Sequence, residues 1–557
     1  MLKRRVIQID CMTRVFLTRF FENDITTGTD DLKGTFFWLV AALAMPGIFI
    51  PWLRVFDWEI ALLMYGTDGL RMISRADKCF YLSISMISSG ALAAMTWNSM
   101  LPDRRDALIL GALPVPPTTI IASKLLALAT YLLMIAVLTH SAGALFFGTF
   151  LSRDQSFSFV VRGIVGHFVA SAAGGIAIAL TISALQGACL SVLRGRVATR
   201  AMVALQVGTV TALTLGAALT LPASVAIRTA LDAPGAESWV LWMPFVWFLG
   251  LYEVILGTNE PLLHDLAGWA LATFSASAIA TMVLFPLVYR RATLSGVESS
   301  FPGSALSSSL RAGLVRLVSR RTAVQGAADF LLTTVFRAGR QRFVLASVVG
   351  LAAAFIVPGI VSSGGSLEPT VKELSFPLAA ELVVLVGFRI VAALPADNRA
   401  AWLFESLHVS PDVARTALER TLLLFVVLPV ATASVVLYWN RFGATVATMH
   451  GFVTLSIGAL ILQLLVFRPI RMPCGQPWDG ARFDVVRRWP VYGLGGLIVI
   501  VGVPKLELLF GGVGGASLFV AVIIGLSLVI RRMSLAQIHL PHDLNDSDPV
   551  AGVLRLQ

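Results

Sequence analysis

The chain has 557 residues, of which 57% are hydrophobic and 13% charged, with a formal net charge of +11. Soluble domains carry about 25% charged residues, and mean hydropathy here is +0.81, so the composition excludes an ordinary soluble domain and predicts an all-α, polytopic membrane protein. Cys11, Cys79, Cys189 and Cys474 have no paired spacing, which argues against a disulfide framework or a zinc site.

Residues 1–33 are polar and charged and lack the pattern of a cleavable signal, so the first apolar run is expected to stay in the mature protein. Within them, Val15, Phe16, Phe20 and Phe21 oppose Arg14 and Arg19, which predicts an amphipathic helix over 12–21 lying along the inner leaflet. Apolar runs then predict six spans near 34–55, 79–98, 120–150, 160–193, 203–223 and 267–289. Six more follow near 343–361, 374–394, 418–438, 442–467, 490–504 and 510–530. The expected organisation is a cytoplasmic segment 1–33, a first six-helix half 34–289, a basic linker 290–342, a second half 343–530 and a polar tail 531–557. About 12 helices in two tandem halves result.

Arg and Lys cluster in 1–33, 290–342, 468–489 and after span twelve, whereas 224–266 holds Arg228 against Asp232, Glu237, Glu253, Glu260 and Asp265. The positive-inside rule then places both termini in the cytoplasm. Cytoplasmic loops account for the net charge, and no nucleic-acid partner is expected. The 54–78 loop runs against this pattern, with Arg54, Arg71, Arg75 and Lys78 on the expected outside.

An imperfect repeat joins the halves. Leu101-Pro102-Asp103-Arg104-Arg105-Asp106-Ala107 continues through Leu113-Pro114 to Lys124. Leu394-Pro395-Ala396-Asp397-Asn398-Arg399-Ala400 continues through Ser410-Pro411 to Glu419 and Arg420. Parallel halves are the expected relation. Pro102 ends the incoming helix, and Asp103 can cap a short helix through Leu113 whose apolar side carries Leu108, Leu110 and Leu113. Thr118 or Thr119 can cap span three, and Lys124 can snorkel to the headgroups.

At these residues, from Trp97 through Lys124, the chain resembles the cytoplasmic coupling segment of bacterial type-2 ABC transporter permeases. Pro244-Phe245-Val246-Trp247-Phe248-Leu249-Gly250-Leu251-Tyr252-Glu253 resembles the outer segment before their sixth span. The resemblance implies the membrane subunit of an exporter in a bacterial inner membrane, driven by two copies of a separate ATP-binding subunit, which carry the ATP and Mg; no cofactor is implied on this chain. It places ATPase docking at Asp103, Arg104, Arg105 and Asp106, with Leu108, Leu110 and Leu113 packing the short helix, and more weakly at Asp397 and Arg399. Trp247, Tyr252 and Glu253 fall in an outer lid that Pro244 sets off by breaking the chain. Lipid and an unidentified substrate complete the expected partners.

Other signals are weaker. His539, His542 and Asp543 lack a further strong ligand. His140, His167, His450 and Glu381 lie in or near spans, which keeps a proton-coupled secondary transporter as the alternative. No glycine-rich stretch continues into Gly-Lys-Ser/Thr, and no nucleophile elbow is present, so the chain is not expected to be an enzyme.

Overall fold

Every regular element among the described residues is helical. The computed structural model describes residues 2–21, 32–100, 110, 114–151, 156–231, 238–294, 308–361, 369–394, 409–467, 474, 494–510 and 512–538. The chain divides into two compact units, Met1–Ala305 and Leu306–Gln557.

The first unit contains α1 (Leu2–Phe21), α2 (Leu32–Met95), α3 (Pro117–Phe150), α4 (Phe157–Val192), α5 (Gly195–Ala230), α6 (Pro244–Leu256) and α7 (Pro261–Leu294). A single 3-10 turn, Ser238–Trp242, precedes α6. Helix α2 is continuous in hydrogen bonding but not in direction, because Gly66 adopts φ 67, ψ −160. A straight helix would hold Trp58 and Asp77 about 28 Å apart, yet Trp58 Nε1 donates to Asp77 Oδ2 at 2.7 Å. The helix therefore folds back at Gly66 into an outgoing arm, 32–65, and a return arm, 67–95. The stretch 54–78, expected as a loop, is two helix ends joined at one glycine, because only glycine takes that backbone conformation without a Cβ clash.

The second unit contains α8 (Ser308–Val318), α9 (Thr322–Arg337), α10 (Gly339–Val361), α11 (Val371–Ala393), α12 (Pro411–Leu465), α13 (494–509) and α14 (Val513–Ile538). Gly443, at φ 84, repeats the device of Gly66 inside α12. Tyr438 and His450 would stand about 18 Å apart on a straight helix, but their rings are 5.4 Å apart.

Among the described residues seven helices are long and apolar enough to cross a membrane: α3, α4, α5, α7, α11, α12 and α14. The number is eight if the bent pair Thr322–Phe336 and Gln341–Ile356 forms one span. This is the architecture of a multi-pass helical membrane protein. Counted this way the helices do not reach the expected twelve, since α12 enters once and α2 not at all.

Three points of the first unit add to or depart from expectation. The apolar face of α1 is divided: Phe16 and Phe20 are 3% and 2% exposed and Val15 is 55% exposed, and the Phe20 ring stacks on Tyr131 of α3 at 4.8 Å. Lys124 does not snorkel but is buried, its ammonium 5.3 Å over the Phe16 ring. Helix α1 thus covers the face of α3 that carries Lys124, and in doing so buries Phe16 and Phe20 against it. Helix α3 starts after Pro116 with no side-chain cap, so neither Thr118 nor Thr119 caps it.

Candidate functional site

Two ends of the first unit carry the residues singled out by sequence. Helix α6 starts at Pro244, whose fixed φ suits a first-turn position. It ends at Gly257 with φ 97, a left-handed cap. Gly250 sets its distance from α7, since a Cβ there would meet Leu266 Cβ and the Leu263 carbonyl at 2.6 and 2.7 Å. The helix is thereby locked as a cap across the Gly66 end of α2, the cap end of this unit.

The three lid residues lie within or beside that cap. Trp247 Nε1 donates to the Leu241 carbonyl at 3.0 Å, and its ring lies 6.3 Å from Trp269. Tyr252 is 1% exposed, and its ring meets His167 edge-on at 5.5 Å. Glu253 accepts from Lys78 Nζ at 2.6 Å and from Thr258 Oγ1 at 3.2 Å. Arg75 Nε stands 3.6 Å from the other Glu253 oxygen, and Arg75 Nη2 donates to Glu260 at 2.5 Å. Burial alone would raise the Glu253 carboxyl above its usual range, but the Lys78 and Arg75 charges outweigh it and hold it below.

This network explains the four cations at 54–78. Lys78 and Arg75 pair with Glu253 and Glu260, Arg54 pairs with Asp57 and Asp77, and Arg71 stands 3.7 Å from Asp68. Sequence reading counted these cations as loop charges. Arg54–Asp57 and Asp68–Arg71 are local pairs three residues apart, but the acids of Arg75 and Lys78 lie 185 and 175 residues away, so no local spacing revealed those.

Beneath the cap runs a polar cluster that sequence reading gave no joint role. Tyr81 Oη is 3.2 Å from His140 Nδ1, and Ser85 Oγ is 3.2 Å from His140 Nε2. His167 stacks on Phe147 at 4.4 Å, and neither of its ring nitrogens has a hydrogen-bond partner.

At the opposite, base end, Asp103, Arg104, Arg105, Asp106, Leu108 and Leu113 lie outside the described residues, as do Asp397 and Arg399. Leu110 is described and packs into the cluster of Phe16, Phe20, Trp97 and Met100, against its own bundle. In the second unit α9 covers the first turns of α12 in the same manner, with Val324, Ala327 and Ala328 against Ala417. Arg420 also donates to the Val318 carbonyl at 3.3 Å.

The second unit has its own buried polar groups. Glu381 is fully buried and neither carboxyl oxygen has a hydrogen-bond partner. His450 Nδ1 lies 2.9 Å from Glu507, a carboxylate that the break at Pro504 hid from sequence reading. Glu373 closes a capping box with Thr370 and pairs with Arg441. Among the described residues no group of three or more His, Cys, Asp or Glu could hold a metal.

No family model, curated protein or solved structure matches the chain.

Proposed function

We propose that the chain is the membrane subunit of a bacterial ABC exporter, with ATP hydrolysed by separate cassette subunits. One observation carries this reading. In each unit an amphipathic helix is folded onto the first turns of the helix that follows the repeated Pro/Arg segment, α1 on α3 and α9 on α12. Two segments that must receive a mechanical stroke need such bracing, because a charged loop on an unsupported helix end would bend rather than transmit. Folding back at Gly66 and Gly443 supports a count of six crossings per half, with α2 and α12 contributing two each and α10 and α13 one each. In this reading the base end faces the cytoplasm, and α6 closes the outer end. Of the cations near Gly66, Arg75 and Lys78 pair with the cap and Arg54 and Arg71 with acids of α2 itself, which eases their conflict with cytoplasmic termini.

Coexpression with a cassette ATPase and purification through this chain tests the reading. The wild-type chain should retain the ATPase, and R104E/R105E should release it through lost charge complementarity. Equal recovery from both would reject the interface.

A proton-coupled secondary transporter is the second reading, favoured by the unpartnered Glu381 and by the His450–Glu507 contact. Ionisable groups within spans commonly serve proton paths. Transport that persists in ATP-depleted vesicles and stops when the proton gradient is dissipated would favour this reading over the first.

A further inference from the structure

Between the return arm of α2, the start of α4 and the end of α6 lies a cavity of about 260 Å³. Its charged lining is Arg71, Lys78 and Glu253, so two cations face one carboxylate. That carboxylate is already committed to Lys78 at 2.6 Å and lies beside Arg75. A third cation stands at the rim, because Arg162 Nη1 lies 3.2 Å from the position a Cβ on Gly257 would take. Lys78 is 5% exposed and has three N–H donors, of which Glu253 Oε1 takes one. Arg71 is held only by Asp68 at 3.7 Å, with side chains 62% and 91% exposed, a pairing of little strength. The remaining wall is mixed: Leu70, Phe147, Leu151, Phe159 and Leu256 form an apolar side, and Thr67, Ser74 and Thr258 add hydroxyls.

We propose that this cavity binds an anionic amphiphile, with a phosphate or carboxylate headgroup between Arg71 and Lys78 and the first methylenes of its chain against Phe147, Phe159 and Leu256. Each half of the lining suits one half of such a molecule. The guanidinium offers a forked pair of donors to an oxyanion, and the ring walls exclude water from the proximal methylenes. An occupant shares Lys78 with Glu253, so binding and docking of α6 are linked through one ammonium group. The proposal needs the chain to be in a membrane but does not rest on a cassette ATPase.

Native mass spectrometry of the delipidated full chain, titrated with phosphatidylglycerol, phosphatidylcholine or inorganic phosphate, tests it. Phosphatidylglycerol should bind in preference to phosphatidylcholine, with inorganic phosphate a poor competitor. Arg71→Gln, at an exposed side chain that folding does not need, should weaken phosphatidylglycerol about tenfold, the size of one charge-assisted hydrogen bond. The double variant K78M/E253L removes the buried pair together and should weaken it similarly while the chain still folds. Arg320→Gln, an exposed cation of the second unit, should change nothing. Equal retention of the two lipids, competition by phosphate at lipid-like concentrations, or equal losses from R71Q and R320Q would each overturn the proposal.

Discussion

In the first unit the connection between α5 and α7 holds a 3-10 turn and α6, and α6 is tied down by Lys78, Arg75, Glu253 and Glu260. In the second unit three residues, 510–512, separate α13 from α14, which leaves no room for a cap helix. The base ends, by contrast, are built alike, with α1 over α3 and α9 over α12. Even the interior crossing is shared. Gly175 of α4 faces Ser89 of the α2 return arm, and Gly458 of α12 faces Glu381 of α11. The two units share the bracing and the glycine crossing and differ at the cap end, which is the pattern expected under the proposed function if the braced ends meet the same kind of partner and the cap end serves a task of the first unit alone.

The largest expected effect would break the similarity of the base ends. In the proposed complex, R104E/R105E should abolish co-purification of the ATPase, whereas D397R/R399E should reduce it only in part, because the second segment offers fewer charges. Quantifying ATPase per chain in both variants checks this, and equal losses would mean that the two halves dock equivalently.

Next in size is the cap. Glu253→Gln leaves Lys78 buried beside a neutral partner, and breaking a buried pair on one side costs about 3–5 kcal/mol. Thermal melting in detergent should show a large loss for E253Q and recovery in K78M/E253L, while E373Q in the second unit, whose partner Arg441 is 20% exposed at its side chain, should lose less. The pH dependence has a defined sign. Against its burial, Glu253 is held below the ordinary carboxyl value of 4.5 by Lys78 and Arg75, so its stabilisation is fully present above that pH and is lost as the pH falls through the lower folded-state value. Protease access to the 3-10 turn and α6 should rise with acidification in that window, and E253Q should be insensitive to it.

Smaller again is the glycine crossing. A Cβ on Gly458 would overlap Glu381 Oε1, while one on Gly175 meets Ser89 Oγ at 2.5 Å. A serine hydroxyl can rotate away, but Glu381 is fully buried, and the added Cβ would also meet Val427 Cγ1 at 2.9 Å. Gly458→Ala should therefore cost about 1–3 kcal/mol, as overpacking does, and Gly175→Ala less. Folding measurements on G458A, E381A and the double variant should reveal coupling between the two positions.

The parts legible in the sequence were those with local causes. Apolar runs located the helices, Pro244 marked the start of α6, and the alternation around Phe16 and Phe20 marked α1. What those faces pack against was not legible, because a face that suits the inner leaflet also suits α3. The charged stretch 54–78 and the boundary between 438 and 442 marked both reversals, but not that a single glycine, Gly66 or Gly443, makes each turn inside continuous helix. The ion pairs of Arg75 and Lys78 close across 185 and 175 residues, and only the tertiary fold brings those charges together. The docking residues 103–106, 397 and 399 fall outside the described residues, so their role rests on the repeat and on the bracing around it.

The smallest effect sharpens the comparison at helix starts. Thr370 caps α11 with a full capping box: Glu373 N donates to Thr370 Oγ1 at 3.3 Å, and Thr370 N donates to the Glu373 carboxylate at 2.9 Å. Ser156, which precedes α4 in the first unit, makes no side-chain cap. A cap hydroxyl satisfies a backbone N–H that has no intrahelical acceptor, so its removal costs about 0.5–2 kcal/mol. Ser156→Ala removes a hydroxyl that satisfies none of these groups and should fall within about 0.5 kcal/mol of wild type. Thr370 also holds Glu373 in place, and the same carboxylate pairs with Arg441 while Tyr438 donates to the Glu373 carbonyl at 2.5 Å. Thr370→Ala should therefore loosen α11 against the fold-back at Gly443 as well as fray its first turn. Hydrogen exchange would read both: faster exchange at 371–374 alone is the cap effect, and faster exchange extending to 438–447 is the transmitted one. Protection unchanged in both stretches would mean that Arg441 alone holds Glu373, and that the box adds nothing to the second unit.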